Sequence, residues 1–328
     1  MPMISVSPDG PDFECREGDT ILRSALRAGL GMPYSCNTGS CGNCRFQLLE
    51  GEVVHLREDA PAWSERELKR GRWLGCQAVP QGDCKVKFRT MDQYVLETRP
   101  AFRRAELTGV RQITRDISEF AFRVDGDLSF RPGQYALFHV PGVDGARAYS
   151  MSNLSEDGEW QFMIKHAPKG AATGWLFDAE PGATLELDGP YGTAFLHEES
   201  ARDIVLLAGG SGLSPMVSIA IGAASAGMLQ SRELHVFYGA RATADLCEAS
   251  VLGQAAGQAR FVTVLSEPGA DWDGPKGFLH DVVAEDMGAR LAHCEVYFAG
   301  PAVMSAAVQK MAHELGVPQD QLHFDEFY

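Results

Sequence analysis

Apolar and polar positions follow three different rhythms along this chain. Met3-Ile4-Ser5-Val6 and Phe13-Glu14-Cys15 read as two short strands, joined by Asp9-Gly10-Pro11-Asp12, residue types that favour a hairpin turn. After Thr20, Ile21, Leu22, Ala25, Leu26 and Leu30 fall on one helical face, and Gly31 closes the run. A glycine-spiked loop follows, and residues 46–49 and 84–89 read as further strands. The first section is therefore expected to be a small α+β domain over residues 1–91. Residues 92–104 lose any period, contain Pro100 and collect Arg99, Arg103 and Arg104, which suits a linker.

Between residues 105 and 200 the rhythm is that of strands. Leu107-Thr108-Gly109-Val110, Ile117 to Phe122, Tyr135 to Val140 and Gln161 to Lys165 alternate or are β-branched, with turn residues between them. An antiparallel β-barrel is the natural way to satisfy such strands. From residue 201 to 328 strands alternate with helices: Ile204 to Ala208, Met216 to Ala226, Leu234 to Tyr238, Phe261 to Leu265 and Glu295 to Ala299. That order predicts an α/β domain whose parallel sheet is covered on both faces. No internal repeat or low-complexity tract interrupts the pattern.

Composition adds exclusions. At 328 residues, 45% hydrophobic and 22% charged, the chain fits several globular domains, and no apolar run reaches the roughly 18 residues of a membrane span. Met1-Pro2-Met3-Ile4-Ser5 has no basic residues before an apolar core, so a soluble, cytoplasmic protein is expected. The net charge of -15 divides as -1, -4 and -10 over residues 1–95, 96–197 and 198–328. An acidic surface of this kind repels nucleic acid and anionic lipid, so neither is an expected partner.

Eight cysteines in a reducing compartment do not suggest a disulfide framework. Cys36, Cys41, Cys44 and Cys76 are separated by four, two and thirty-one residues, the spacing of a plant-type [2Fe-2S] cluster. Three thiolates from one loop must wrap closely around two irons. Gly39 and Gly42 permit the turns and leave N–H groups facing the sulfurs. A structural zinc site is the alternative, although zinc usually draws ligands as two close pairs in sequence. Cys15, Cys84, Cys247 and Cys294 read as small buried apolar groups. Across residues 1–90 the chain resembles the plant-type ferredoxins.

A nicotinamide gives up two electrons together and such a cluster accepts one at a time, so a flavin is expected between them. Arg147-Ala148-Tyr149-Ser150 is similar to the Arg-x-Tyr-Ser/Thr element of the ferredoxin reductase family. The resemblance implies FAD as the cofactor, with Arg147 on its pyrophosphate, Tyr149 along the isoalloxazine and Ser150 near N5. Arg131-Pro132-Gly133-Gln134-Tyr135 and Gly170-Ala171-Ala172-Thr173-Gly174-Trp175-Leu176 resemble two further elements of that family. Gly170, Ala172 and Thr173 would then hold the pyrophosphate, and Ile164 and Lys165 would line the flavin. Gly189-Pro190-Tyr191-Gly192 sits where the family passes to its nicotinamide domain.

The strand Ile204 to Ala208 runs into Gly209-Gly210-Ser211-Gly212-Leu213-Ser214-Pro215, a context in which a phosphate can sit at a helix N-terminus. It resembles the family's Gly-Gly-x-Gly-x-x-Pro turn and implies NAD contacts from Gly209, Gly210, Ser211, Gly212 and Pro215. Phe298-Ala299-Gly300-Pro301 resembles a Cys-Gly-Pro element beside the nicotinamide, with alanine in place of cysteine. The resemblance places Gly300 and Pro301 there, makes Ser150 and Glu326 candidate catalytic residues, and lays the terminal Tyr328 over the flavin. Arg241 could meet a 2'-phosphate, and no acidic residue at the end of its strand awaits the ribose hydroxyls, so the residues leave NADH or NADPH open.

The order ferredoxin, flavin barrel, nicotinamide domain resembles the NADH-dependent reductase components of soluble multicomponent di-iron monooxygenases, the toluene, alkene and isoprene group. That implies a monomer passing electrons to a Rieske-type ferredoxin or an oxygenase component. Reductases of ring-hydroxylating dioxygenases share the order, and a redox-sensing [2Fe-2S] binding protein is the reading from another class. Arg57, Arg66, Lys69, Arg70 and Arg72 lie between the third and fourth cysteines and are expected to include an outward basic patch near the cluster.

Overall fold

The structure, a computed structural model, describes residues 1–327, with Phe327 as backbone alone. The chain packs as two compact units: Met1–Arg103 with Ala136–Ala148 and Glu186–Thr193, and Arg104–Tyr135 with Tyr149–Leu185 and Ala194–Tyr328.

The first unit opens with β1 (Met3–Val6), β2 (Phe13–Glu14) and α1 (Ile21–Arg27). Thr20 caps α1 by accepting the Arg23 N–H at 3.4 Å, and Ile21, Leu22, Ala25 and Leu26 are buried beneath it. The helix ends at Arg27 rather than at Leu30, because Gly29 takes a φ of 83°. Gly31 serves another purpose: a Cβ there would lie 2.1 Å from the Met91 carbonyl oxygen. Next come β3 (Arg45–Glu50), β4 (Val53–His55), α2 (Glu65–Leu68), β5 (Arg72–Leu74), β6 (Ala78–Pro80) and β7 (Cys84–Lys87). The main sheet has the order β2-β1-β7-β3-β5, with β1 and β7 parallel and the other neighbouring strands antiparallel. β4 and β6 form a separate antiparallel pair. Ile4, Val6, Phe46, Leu74 and Val86 fill the core under α1.

β8 (Ala101–Gln112) begins inside the stretch expected to be a linker. Its buried positions alternate through Arg103, Ala105 and Leu107, and Arg103 stands where an apolar residue would have signalled a strand. Its guanidinium donates to the Gly189 carbonyl at 2.6 Å. With β9 (Ile117–Val124), β10 (Tyr135–His139), β11 (Arg147–Ser150), β12 (Trp160–Lys165), α3 (Ala171–Asp178) and β13 (Thr184–Tyr191), it builds a six-stranded sheet ordered β11-β10-β13-β8-β9-β12. Just past β11, Met151 bridges Phe162, and the Ser152 N–H donates to Gln161 O at 2.7 Å. The two ends of the strand order meet there, which closes a barrel.

The remaining elements, in the second unit, are β14 (Asp203–Gly209), α4 (Leu213–Ser225), β15 (Leu234–Ala240), β16 (Ala259–Leu265), α5 (Leu279–Met287), β17 (Cys294–Pro301), α6 (Ala302–Glu314) and β18 (Leu322–Phe327). The sheet is parallel, in the order β16-β15-β14-β17-β18. Leu206, Ala208, Val236 and Tyr238 pack with α4, whereas Val205, Leu207, Phe237, Val296 and Phe298 pack with α5 and α6. Alternate residues of buried strands thus feed two separate cores. Among the described residues, no helix is long and apolar enough to cross a membrane.

Candidate redox cofactor sites

Cys36, Cys41 and Cys44 lie on the loop between α1 and β3, and Cys76 follows β5. The four thiols meet as two pairs, Cys36 with Cys41 and Cys44 with Cys76. The bond from Cys41 holds the Cys36 thiol down to about 5 despite burial, while the contact with Cys76 and burial push Cys44 up. Main-chain N–H groups of Thr38, Ser40 and Cys41 donate to Cys36 Sγ at 3.5, 3.4 and 3.3 Å. The Cys76 N–H donates to Cys44 Sγ at 3.5 Å. Three donors reach one sulfur because the backbone between them turns through positive φ at Asn37 (54°) and Gly39 (89°), while Gly42 (79°) turns it again after Cys41.

Among the described residues no three Cys, His, Asp or Glu side chains are arranged around a single ion. Two thiol pairs under N–H donors are instead the donor set of a two-iron cluster, which takes two protein sulfurs on each iron. The residues present therefore fit the group. Cys15 stands apart, bonded to Ser24 Oγ at 3.1 Å and pushed up to about 11, mainly by burial. Cys84 donates to the carbonyls of Glu52 and Gly82.

Along β11, Arg147 is exposed and its Nη1 donates to the carbonyls of Asp144, Gly145 and Ala146 at 3.1–3.2 Å. Ala148 and Tyr149 are half-buried and Ser150 is buried. In the second unit Gly170 caps α3, whose first turn has no side-chain cap and no acidic residue. A Cβ on Gly170 would lie 2.6 Å from Thr173 Oγ1, which accepts the Ala167 N–H at 3.2 Å. An uncapped helix start whose backbone a bulky residue cannot cover suits a diphosphate. Ile164 is buried, and the exposed Lys165 pairs with Asp116 at 3.1 Å. The side-chain carbon Cδ of Lys165 passes 3.9 Å from where a Cβ on Gly210 would stand.

The turn after β14 lies where neighbouring connections diverge, β15 to one side and β17 to the other, the position at which open parallel sheets bind ligands. Gly210 takes a φ of 55°. A Cβ on Gly212 would lie 1.9 Å from Ala299 O, and one on Gly209 would lie 2.5 Å from Met304 Sδ and 3.3 Å from Pro301. The Gly209–Gly212 turn and the Gly300-Pro301 end of β17 are thus in contact through residues that tolerate no side chain. Ser211 lies within that turn, Pro215 is buried in the first turn of α4, and that turn carries no acidic residue. Such a start to a helix fits a dinucleotide phosphate.

Glu326, paired through its backbone with Gly300, accepts hydrogen bonds from Ser305 and Gln309 at 3.1 Å each. Tyr328 lies outside the described residues. Arg241 is not with the glycine turn's close contacts; it is exposed, and Glu267 stands 3.8 Å from its guanidinium. The segment after β16 thus brings a carboxylate beside the end of β15. Sequence reasoning also missed Ser214, whose hydroxyl donates to Ser150 O at 2.7 Å and accepts the Met163 N–H at 3.0 Å. Ser218 donates to Asn153 O at 2.7 Å. One face of α4 thereby fixes β11 and β12 relative to the glycine turn, and the only local signal was serine in an otherwise apolar helix.

Residues 4–81 match the 2Fe-2S iron-sulfur cluster binding domain, 104–195 the oxidoreductase FAD-binding domain and 206–310 the oxidoreductase NAD-binding domain. A ferredoxin–NAD(P)+ reductase of Metapseudomonas resinovorans is 38% identical over 96% of this chain and 96% of its own length. The ferredoxin–NAD+ reductase component of an alkene monooxygenase system of Xanthobacter autotrophicus is 36% identical, over 97% of this chain and 98% of its own. The solved ferredoxin reductase of carbazole 1,9a-dioxygenase superposes with a TM-score of 0.92 at 34% identity, covering 100% of this chain and 98% of that one. The chain belongs to the family of ferredoxin–NAD(P)+ reductase components of oxygenase systems, oxidoreductases that join a [2Fe-2S] domain to FAD- and NAD-binding domains.

Proposed function

We propose that this reductase takes hydride from NADH and delivers single electrons to a Rieske-type ferredoxin or oxygenase component of a hydrocarbon monooxygenase, working as a cytoplasmic monomer. When bound, FAD accepts two electrons as hydride and releases them singly, and the cluster takes them one at a time. The observation that carries the reading is that one chain holds two thiol pairs beneath main-chain donors and two uncapped helix starts free of acidic residues.

Cys36 and Cys41 would hold one iron, Cys44 and Cys76 the other. Arg147 and the start of α3 at Gly170, Ala172 and Thr173 would bind the FAD diphosphate, while Ala148, Tyr149, Ser150, Ile164 and Lys165 would line the ring. Gly209, Gly210, Ser211, Gly212 and Pro215 would orient the NADH phosphates, with Gly300 and Pro301 beside the nicotinamide. Ser150 would donate a hydrogen bond near the reacting atoms, Glu326 would fix the far side, and Tyr328 would exclude water. The domains would run 1–91, 105–200 and 201–328, joined by 92–104. Glu267 beside Arg241 favours NADH, since its carboxylate would repel a 2'-phosphate and accept ribose hydroxyls.

Anaerobic mixing with NADH should bleach the flavin and cluster absorbance and allow reduction of an artificial acceptor, with NADPH much slower. A chain carrying both cofactors that NADH leaves oxidised would sink this reading. The reductase of a ring-hydroxylating dioxygenase is a second reading, favoured by the fit to the carbazole dioxygenase reductase. Reconstitution with purified acceptors of each kind separates the two.

A further inference from the structure

Three arginines of the first unit reach the cysteine loop, and they differ in setting: Arg57 donates to Thr38 O at 3.4 Å but is 42% exposed and pairs with Asp59. Arg45 is 44% exposed, lies against Gly42, donates to Ala62 O at 2.9 Å and has the Glu67 carboxylate 3.9 Å away. Arg23 is 4% exposed. Its Nε donates to Asn37 Oδ1 at 3.2 Å and its Nη2 to Asn37 O at 3.3 Å, so the guanidinium grips the residue that follows Cys36. Asn37 is the one non-glycine among the described residues with a positive φ, and it is itself buried. The Arg23 fork therefore holds open the turn from which the Thr38, Ser40 and Cys41 N–H groups reach Cys36 Sγ.

Among the described residues no carboxylate forms a salt bridge with Arg23, although Asp188 feels its charge. The nearby Asp19 and Asp188 both pair with Arg27, at 3.4 and 2.9 Å. His139 is uncharged near neutral pH because burial, then Arg23, Arg27 and Arg16, hold it down to about 4 against the opposing pull of Asp19. Of the guanidiniums that His139 senses around α1, Arg23 is the buried one with hydrogen bonds to Asn37 and no salt bridge among the described residues. A cation taken out of water acts over several ångströms with little screening, whereas an exposed and paired one does not.

We propose that Arg23 is a positioning residue that sets the reduction potential of the cluster: its buried charge, delivered through Asn37, stabilises the form carrying the added electron. The inference rests on the reading that Cys36, Cys41, Cys44 and Cys76 hold a [2Fe-2S] cluster. Reduction adds one negative charge to the cluster and changes no bond to Arg23, so removing the cation makes the electron harder to add.

The test is the midpoint potential of the purified holoenzyme, followed by the spectrum of the reduced cluster during a redox titration. Arg23→Gln, which keeps hydrogen-bonding capacity, should lower the reduced-to-oxidised ratio at fixed potential about tenfold, a fall of ~59 mV for a one-electron couple. Arg23→Lys should stay within about twofold of the unaltered protein, as should Arg45→Gln, whose charge is exposed and paired. An unchanged potential in Arg23→Gln, an equal fall in Arg23→Lys, or failure of Arg23→Gln to retain any cluster would overturn the inference. If the unaltered protein itself lacks a [2Fe-2S] spectrum, the parent reading has failed instead.

Discussion

The cysteine loop and the glycine turn after β14 are both glycine-dependent turns proposed to meet negative charge, yet they are built in opposite ways. In the loop, two departures into positive φ, at Asn37 and Gly39, wrap the backbone around Cys36 Sγ, and a third at Gly42 carries it on toward Cys44. Nearly everything required lies within nine residues, Cys76 and Arg23 being the exceptions. In the turn, only Gly210 needs an unusual φ, whereas Gly209 and Gly212 are demanded by β17 and α6, some ninety residues later in the chain. The loop is a local device that side-chain donors complete. The turn is a seam between two distant segments, and its glycines answer to packing as much as to a ligand.

The contrast is broken most severely at the ligands. Serine at Cys36, Cys41, Cys44 or Cys76 should abolish the cluster, seen as lost visible absorbance and lost iron, because each pair would be left with one thiolate. Serine at Cys15 or Cys84 should leave both unchanged. Retention of cluster in Cys76→Ser with loss in Cys84→Ser would reverse the assignment. The seam is tested at Gly212, where an added methyl would sit 1.9 Å from Ala299 O and the backbone must move. Gly212→Ala should cost roughly 1–3 kcal/mol of stability and raise KM for NADH while the cluster spectrum stays intact. A variant as stable as the parent with unaltered KM would mean that β17 yields easily there.

The same contrast explains what could be read in advance. The cysteine spacing, the Thr20 cap and the alternating strands 117–122 and 161–165 were legible because each is a short-range pattern. The helix ending at Arg27 was not, since Gly29 and Gly31 compete as terminators and only the approach of Met91 gives Gly31 its separate purpose. The start of β8 was hidden by Arg103, a buried charge in an apolar rhythm whose partner, Gly189, lies eighty-six residues away. The strand β13 was masked by Gly189-Pro190, since proline inside a strand pattern argues against a strand. Ser214, Glu267 and Arg23 act through partners that no local window contains. Their residue types carried no signal by themselves.

A smaller effect is expected at Arg147. Its guanidinium now serves the carbonyls of its own hairpin, so FAD must draw it from three existing hydrogen bonds. Only the difference between those and charge-assisted bonds to a diphosphate contributes to affinity, each such bond being worth about 1.5–3 kcal/mol before that exchange. Arg147→Ala should weaken FAD binding about tenfold to a hundredfold by equilibrium dialysis and yield flavin-poor protein with its cluster retained. Full flavin occupancy at unchanged affinity would remove Arg147 from the site.

The smallest effect concerns the surface beside Cys76. Arg66, Lys69, Arg70 and Arg72 are exposed on and after α2, whereas Arg57 is half-buried, pairs with Asp59 at 3.3 Å and donates to Thr38 O at 3.4 Å. Arg72 is partly neutralised by Glu67 at 3.6 Å, which leaves Arg66, Lys69 and Arg70 without a salt bridge among the described residues. Next to them Trp63 and Trp73 stack with ring centres 5.2 Å apart, and Leu68 is 44% exposed. Unpaired cations on the same short segment as an exposed leucine favour an acidic acceptor, and charges of this kind act on the encounter rate more than on the bound complex. Reversing Lys69 and Arg70 to glutamate should slow transfer to an acidic ferredoxin-type acceptor several-fold at low salt, and the difference should vanish as the Debye length falls to about 3 Å near 1 M salt. Flavin reduction by NADH should be unaffected, because neither Lys69 nor Arg70 is among the residues proposed to hold the flavin or the nicotinamide. A transfer rate that ignores the reversal at low ionic strength would put the docking site on another face. A slowing that persists at high salt would mean that these side chains act by shape, and the tryptophan pair would then be the next position to change.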